Sequence, residues 1–201
     1  MKIIEPSVEL IDEVDSDAVY KKIERCGRVC YQSQNRKQSD SAEDFVRMII
    51  KKGHESVLEH VSLTFRIICD RAIQNELVRH RLASFSVEST RYVKYDDLNF
   101  VGDQQAIKAK KHAPYNSYLE TLDAIACCYH RLIEAQVPPE HARAILPLCL
   151  KSELYMTANL REWRHILKLR TAKAAHPQMR QIANAILGIF KEKLPVIVED
   201  I

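Results

Sequence analysis

The sequence predicts an α+β fold: a single domain over residues 1–201 with a central, mostly antiparallel sheet flanked by helices. Three observations carry this. VSLTFRIIC sets Val61, Leu63, Phe65, Ile67 and Cys69 at every second position, the pattern of a strand with one buried face. Tyr115, Tyr118, Leu119, Leu122, Ile125, Tyr129 and Leu132 keep helical spacing from Tyr115 to Ile133. The chain has only 4 glycines, scattered, with neither G-x-G-x-x-G nor a P-loop, so nucleotide binding of the Rossmann or P-loop kind is not expected.

In chain order, a first strand is expected over Lys2–Val14, then a helix from about Asp17 to Tyr31 with Val19, Ile23, Cys26 and Cys30 on one side. Ser41 introduces a second helix, Ala42–Lys52. After the VSLTFRIIC strand, Asp70 is placed to cap a helix over Arg71–His80. SFSVESTRY reads as extended, because Phe85 and Val87 alternate with Ser84, Ser86 and Glu88. Beyond the long helix, Pro138 and Pro139 open a short helix that Pro147 stops, LYMTA is strand-like, and helices follow at Leu160–Lys168 and Pro177–Lys193.

With 46% hydrophobic and 28% charged residues, and a mean hydropathy of −0.27, the composition is that of an ordinary globular chain. The apolar run Ala144–Leu150 is too short to span a bilayer, and MKIIEPSVEL has no signal-like apolar core, so a cytoplasmic location without a membrane partner is expected. A net charge of +3 permits anionic ligands without calling for nucleic acid. The 6 cysteines form no C-x-x-C pair and are expected as reduced core thiols, Cys149 among them.

The chemistry concentrates in two stretches. RHRLASFSVESTRY, Arg79–Tyr92, sets Arg79, His80 and Arg81 at the predicted helix end and Glu88, Ser89, Thr90 and Arg91 on the predicted strand. Guanidinium forks and hydroxyls are the side-chain means of holding a phosphate when glycine loops are lacking. In NLREWRHILKLR, Asn159 and Glu162 form a capping pair, Leu160, Trp163 and Leu167 a core stripe, and Arg161 and His165 share another face. Arg143 enters an apolar segment where a cation needs a partner. HESVLEH is not the zinc-binding H-E-x-x-H, since His54 and His60 lie six apart, and no metal site is expected.

RHRLASFSVESTRY resembles the signature R-H-R-x-x-S-x-N-x-x-S-x-R-Y of the flavin-dependent thymidylate synthases, matching at Arg79, His80, Arg81, Ser84, Ser89, Arg91 and Tyr92. HESVLEH, EHARAILP and TANLREWRHILKLR are similar, in order, to that family's other ligand-binding segments. The resemblance implies a homotetramer with active sites shared between subunits and FAD bound outside any Rossmann fold. It implies FAD contacts for Ser56, Arg79, His80, Arg81, Val87, Asn159, Leu160, Arg161 and His165, with His54 lining the flavin and folate region. For dUMP it implies Glu76, Arg79, Glu88, Ser89, Thr90, Arg91, Arg143 and Arg170, with Arg170 facing the uracil as the catalytic residue.

The implied reaction is reductive methylation of dUMP to dTMP, with methylenetetrahydrofolate as carbon donor and NADPH reducing FAD. The chain departs from the pattern in Ser86 for asparagine, Val87 for a polar residue and Glu76 for glutamine. Two other readings therefore stand beside it: alkylation of another pyrimidine nucleotide such as UMP or dCMP, and an RNA-binding module built on TRYVKY and KAKKH, residues 108–112.

Overall fold

The computed structural model describes residues 1–30, 32, 41–102 and 115–201. The helical segments are α1 (Ser16–Val29), α2 (Ala42–Lys51), α3 (Arg71–Leu77), α4 (Tyr115–Glu134), α5 (Pro139–Ala142), α6 (Leu160–Arg170) and α7 (Pro177–Lys193). The strands are β1 (Lys2–Ile4), β2 (Ser7–Leu10), β3 (Ser62–Asp70), β4 (Ser84–Val87), β5 (Asn99–Val101) and β6 (Lys151–Asn159). They form a four-stranded sheet, ordered β2-β3-β6-β4, and a parallel pair, β1 with β5, in register Ile3 to Phe100. The predicted α+β class therefore holds.

In the larger sheet, Ile11 N–H donates to Thr64 O at 3.0 Å while Arg66 reaches Glu9, so numbering falls on β2 as it rises on β3. The Thr64 and Thr157 hydroxyls meet at 2.9 Å and Leu160 N–H donates to Val61 O, which makes β3 and β6 antiparallel too.

The chain divides into two compact units. One comprises Met1–Ser7, Ile67–Arg79 and Ser86–Leu154; the other comprises Val8–Arg66, His80–Phe85 and Tyr155–Ile201. In the first, Leu98, Phe100, Leu122, Ala126, Tyr129, Ala142 and Leu150 form a buried cluster. Residues three and four apart on α4 supply its centre, as the helical spacing required. In the second, Phe65 meets Trp163 edge-on at 4.9 Å and stacks on Phe190 at 5.9 Å. Trp163 is fully buried and its indole N–H donates to Leu63 O at 3.0 Å, so its one polar atom is satisfied.

Several elements differ from expectation. The first strand is two, because Pro6 has no N–H to give a ladder, and the two halves enter different sheets. The α1 face that is buried runs through Tyr20, Ile23, Glu24 and Gly27, while Cys30 is exposed. Gly27 serves close packing: a Cβ there would stand 2.7 Å from the Phe45 ring. Asp70 does cap α3, accepting from Ile73 N–H at 2.7 Å, but the helix stops at Leu77, before Arg79–Arg81. β4 ends at Val87, so Glu88–Arg91 leave the strand, and Tyr92 N–H turns back to Ser89 O. The cysteines are free thiols, but only Cys69 is fully buried; Cys30, Cys127 and Cys128 are exposed and Cys149 is partly covered. Tyr31 and KAKKH lie outside the described residues.

Candidate active site

The residues singled out in the sequence separate by unit. In the unit containing α6, they are His54, Ser56, His80, Arg81, Asn159, Leu160, Arg161, His165 and Arg170. Asn159 caps α6, its side-chain oxygen accepting from Glu162 N–H at 2.9 Å, and wholly buried Leu160 anchors the same turn. With the helix start pinned, Arg161 and His165 project from its exposed side. Arg161 pairs with Glu59 of HESVLEH at 2.6 Å. Together with His54 and Ser56, Arg161 lines a cavity of about 1050 Å³ whose walls also carry Arg28, Lys52 and Phe45. The carboxylates of Asp44 and Glu55 stand in the same walls, and the space is large enough for a ligand with several rings.

At the other end of α6, Arg170 Nε donates to His80 Nε2 at 3.1 Å. The His80 ring is buried, 6.3 Å from the His165 ring, and its Nδ1 stands 3.6 Å from a Glu162 carboxylate oxygen. Burial, then the charge of Arg170 and the nearness of His165, pushes the His80 imidazole down to about 4. His80 is thus neutral near pH 7, and its pairing with Glu162 is not an ion pair there. Because Nε2 accepts, the proton belongs on Nδ1, toward Glu162. Burial also raises the Glu162 carboxyl, against the opposing pull of His165. Arg81 is exposed on the turn closed by Ala83 N–H and His80 O.

The other unit contains Glu76, Arg79, Val87, Glu88, Ser89, Thr90, Arg91 and Arg143. Thr90 is buried, and its hydroxyl accepts from Arg143 at 3.2 Å; Arg143 Nε is held on Glu140 O. Arg91 lies 4.0 Å from the Glu140 carboxylate and over the Tyr92 ring, and Ser89 Oγ accepts from Arg91 N–H. This turn gathers hydroxyls and guanidinium groups around one short segment. Glu88 is paired with Lys151 at 2.7 Å, and Lys151 also holds Glu153 at 3.0 Å. Burial works against the Lys151 charge, but the two carboxylates outweigh it and raise its pKa. Just past the end of α3, Arg79 N–H closes on Glu76 O, and Val87 is the half-buried last residue of β4.

Three participants went unrecognised in the sequence: Glu162, Lys151 and Glu153. Glu162 reads there as a capping partner, and nothing local signals that it faces His80. Lys151 and Glu153 sit on alternate strand positions, a pattern that could have suggested a shared face.

These side chains gather arginine, histidine and hydroxyl groups of the kind suited to anionic ligands, without glycine-loop motifs. The model of the thymidylate synthase complementing protein family matches residues 9–196. Similar proteins include the probable flavin-dependent thymidylate synthase of Mycobacterium phage L5, 36% identical over 89% of this chain and 79% of that one. The flavin-dependent thymidylate synthase of Geobacter sulfurreducens is 35% identical over 86% and 78%. Among solved structures, the UMP/dUMP methylase PolB from Streptomyces cacaoi bound with 5-Br dUMP superposes with a TM-score of 0.83, at 25% identity, over 99% of this chain and 96% of that one. The chain belongs to the flavin-dependent thymidylate synthase family and is an enzyme of the methyltransferase kind. Among the described residues, no helix is long and apolar enough to cross a membrane.

Proposed function

We propose that the chain, acting as one catalytic domain, methylates dUMP at C5 to give dTMP, with methylenetetrahydrofolate supplying the carbon, NADPH the electrons, and FAD bound by side chains. The observation that carries this reading is the sorting of the signature: the turn of Thr90, Arg91 and Arg143 suits a nucleotide phosphate, and the α6 group suits a flavin.

Ser56, His80, Arg81, Asn159, Arg161 and His165 hold FAD, with Arg79 and Val87 contributing from their own segment; His54 lines the flavin and folate region. Leu160 supports them by fixing the start of α6. When bound, the reduced flavin supplies a hydride. Ser89, Thr90, Arg91 and Arg143 hold the phosphate through charge-assisted bonds, and Glu76 and Arg79 complete the nucleotide site. Arg170 places a permanent cation at the uracil, stabilising negative charge that develops on the ring. No activated cysteine is needed: burial raises the Cys149 thiol, which disfavours the thiolate. The enzyme works as a cytoplasmic homotetramer with shared sites.

Glu88 puts a carboxylate in a phosphate-binding turn, and Lys151 neutralises it. Lys151→Met leaves that carboxylate facing the nucleotide, and KM for dUMP rises about 10-fold, as for one uncompensated like charge at intermediate dielectric. In Lys151→Met/Glu88→Gln most of the loss is recovered. Steady-state kinetics of the two variants checks both expectations, and a double variant no better than the single one refutes the neutralising role.

A second reading has a specific observation behind it: the solved UMP/dUMP methylase bears the likeness given above, so UMP competes with dUMP as substrate. Purified enzyme that releases FAD on denaturation, and yields dTMP from dUMP, methylenetetrahydrofolate and NADPH, supports the first reading. Methylation of UMP or dCMP with dUMP left untouched overturns it. A colourless protein that takes up no FAD and binds RNA with strong salt dependence would favour the RNA-binding reading instead.

A further inference from the structure

We propose that His80 is a positioning residue for Arg170: its Nε2 accepts the Arg170 Nε–H and thereby fixes the plane in which the guanidinium meets the pyrimidine ring. The inference rests on the role given to Arg170 above and adds a partner to it.

The guanidinium carbon and its three nitrogens are coplanar, so one directed bond at Nε sets the orientation of the whole fork. That bond spans 3.1 Å. Arginine can only donate, so the arrangement requires a neutral imidazole with a lone pair on Nε2. The surroundings provide one. His80 is buried, and the groups facing it are Arg170, His165 and Glu162, all on α6. Its flanking cations, Arg79 and Arg81, are exposed. Two positive or potentially positive neighbours and the loss of water disfavour a proton on Nε2, and the pKa near 4 expresses that balance.

Glu162 supplies the complement. Its carboxyl stands beside Nδ1, so it favours the tautomer with the proton on that side and leaves Nε2 to accept. At 3.6 Å this is orientation by proximity, not a hydrogen bond. Protonation of His80 would reverse the arrangement, turning its attraction toward Glu162 and its Nε2 from acceptor into a donor opposed to Arg170. The device thus keeps Arg170 aligned throughout neutral pH and releases it only in acid. Besides its place in the RHR flavin group, His80 through its buried ring governs a residue 90 positions away.

The test compares His80→Phe, which keeps a ring without an acceptor, with His80→Gln, whose side-chain oxygen can occupy the Nε2 position. In ¹⁵N-labelled protein the Arg170 Nε–H gives a slowly exchanging signal, which is lost in His80→Phe and present in His80→Gln. In turnover, His80→Phe loses about 10- to 100-fold in kcat, the size expected for a misplaced catalytic group. Because His80 also belongs to the FAD group, rates are taken per bound flavin: on that scale His80→Phe keeps its KM for the nucleotide and shows the kcat loss, while His80→Gln recovers most of the rate. An Arg170 signal indifferent to both substitutions, a His80→Phe rate within about twofold of wild type, or equal impairment of both variants in proportion to lost flavin overturns the proposal. A wild-type protein that shows the Arg170 signal, and its loss in His80→Phe, but methylates no pyrimidine nucleotide refutes the proposed function while leaving the pairing itself established.

Discussion

Arg170→Ala lowers kcat for dTMP formation by about 100-fold or more, the range seen when one preorganised stabilising donor is removed, with most of the FAD retained. Arg170 is the last residue of α6, where the negative end of the helix favours a cation, and its Nε is fixed on His80. It is half-buried, so a charge there is screened less than one in open solvent. Arg170→Lys recovers only part of the rate, because a point charge on a flexible stem lacks the planar fork. Turnover measured beside flavin stoichiometry decides the matter: equal loss of both would mean that Arg170 holds the cofactor and does not act on the uracil.

How much of this was legible in the sequence depended on whether a signal was periodic or tertiary. β3 and α4 were read correctly because one-sided burial imposes a period, and α7 because Pro177 marks its start. The three residues of β5 carry no period and exist as a strand through pairing with β1 on one side and a bridge from Phe100 to Leu150 on the other. Gly27 carried no local sign of its part in packing, which is that its missing Cβ lets Phe45 approach. For the site, fixed motif spacing marked Arg79–Tyr92 and Asn159–Arg170 at once. Helix geometry, however, misled the reading of Arg79–Arg81, since Val78 already caps α3. The links from His80 to Arg170 and from Glu88 to Lys151 join residues 90 and 63 apart, and nothing within either segment announces them.

The second large effect concerns Arg164, a residue of NLREWRHILKLR to which the sequence alone assigned no role. It is 1% exposed. Its guanidinium grips both Asp200 oxygens, at 2.7 and 2.9 Å, reaches Glu55 at 3.1 Å and donates to Ile197 O. The guanidinium is the desolvated partner, whereas the Asp200 carboxylate is about half exposed. Removing the acid should therefore cost more than removing the base, because it strips compensation from a charge that cannot reach water. Asp200→Ala is expected to destabilise by about 3 kcal/mol, at the low end for a broken buried pair because Glu55 and Ile197 O still face the arginine. Arg164→Met removes the buried charge itself and leaves mainly a carbonyl to satisfy, costing about 1–2 kcal/mol. Added to Asp200→Ala it should restore part of the lost stability, which urea unfolding of the four proteins measures. Arg164 and Lys168 hold the Asp200 carboxyl well below its ordinary value, hydrogen bonding to Arg164 being the larger cause. The unfolded chain therefore binds that proton more readily, so this stability is present above about pH 4, the unfolded value, and is lost as pH falls toward the folded one. Asp200→Ala should flatten the acid side of the stability profile, by an amount reduced by solvent screening of the exposed carboxylate. Because Arg164 also holds Glu55, the residue between His54 and Ser56, Arg164→Met should weaken FAD uptake by a protein that remains folded; full-strength binding would show that the cavity wall stands without this arginine.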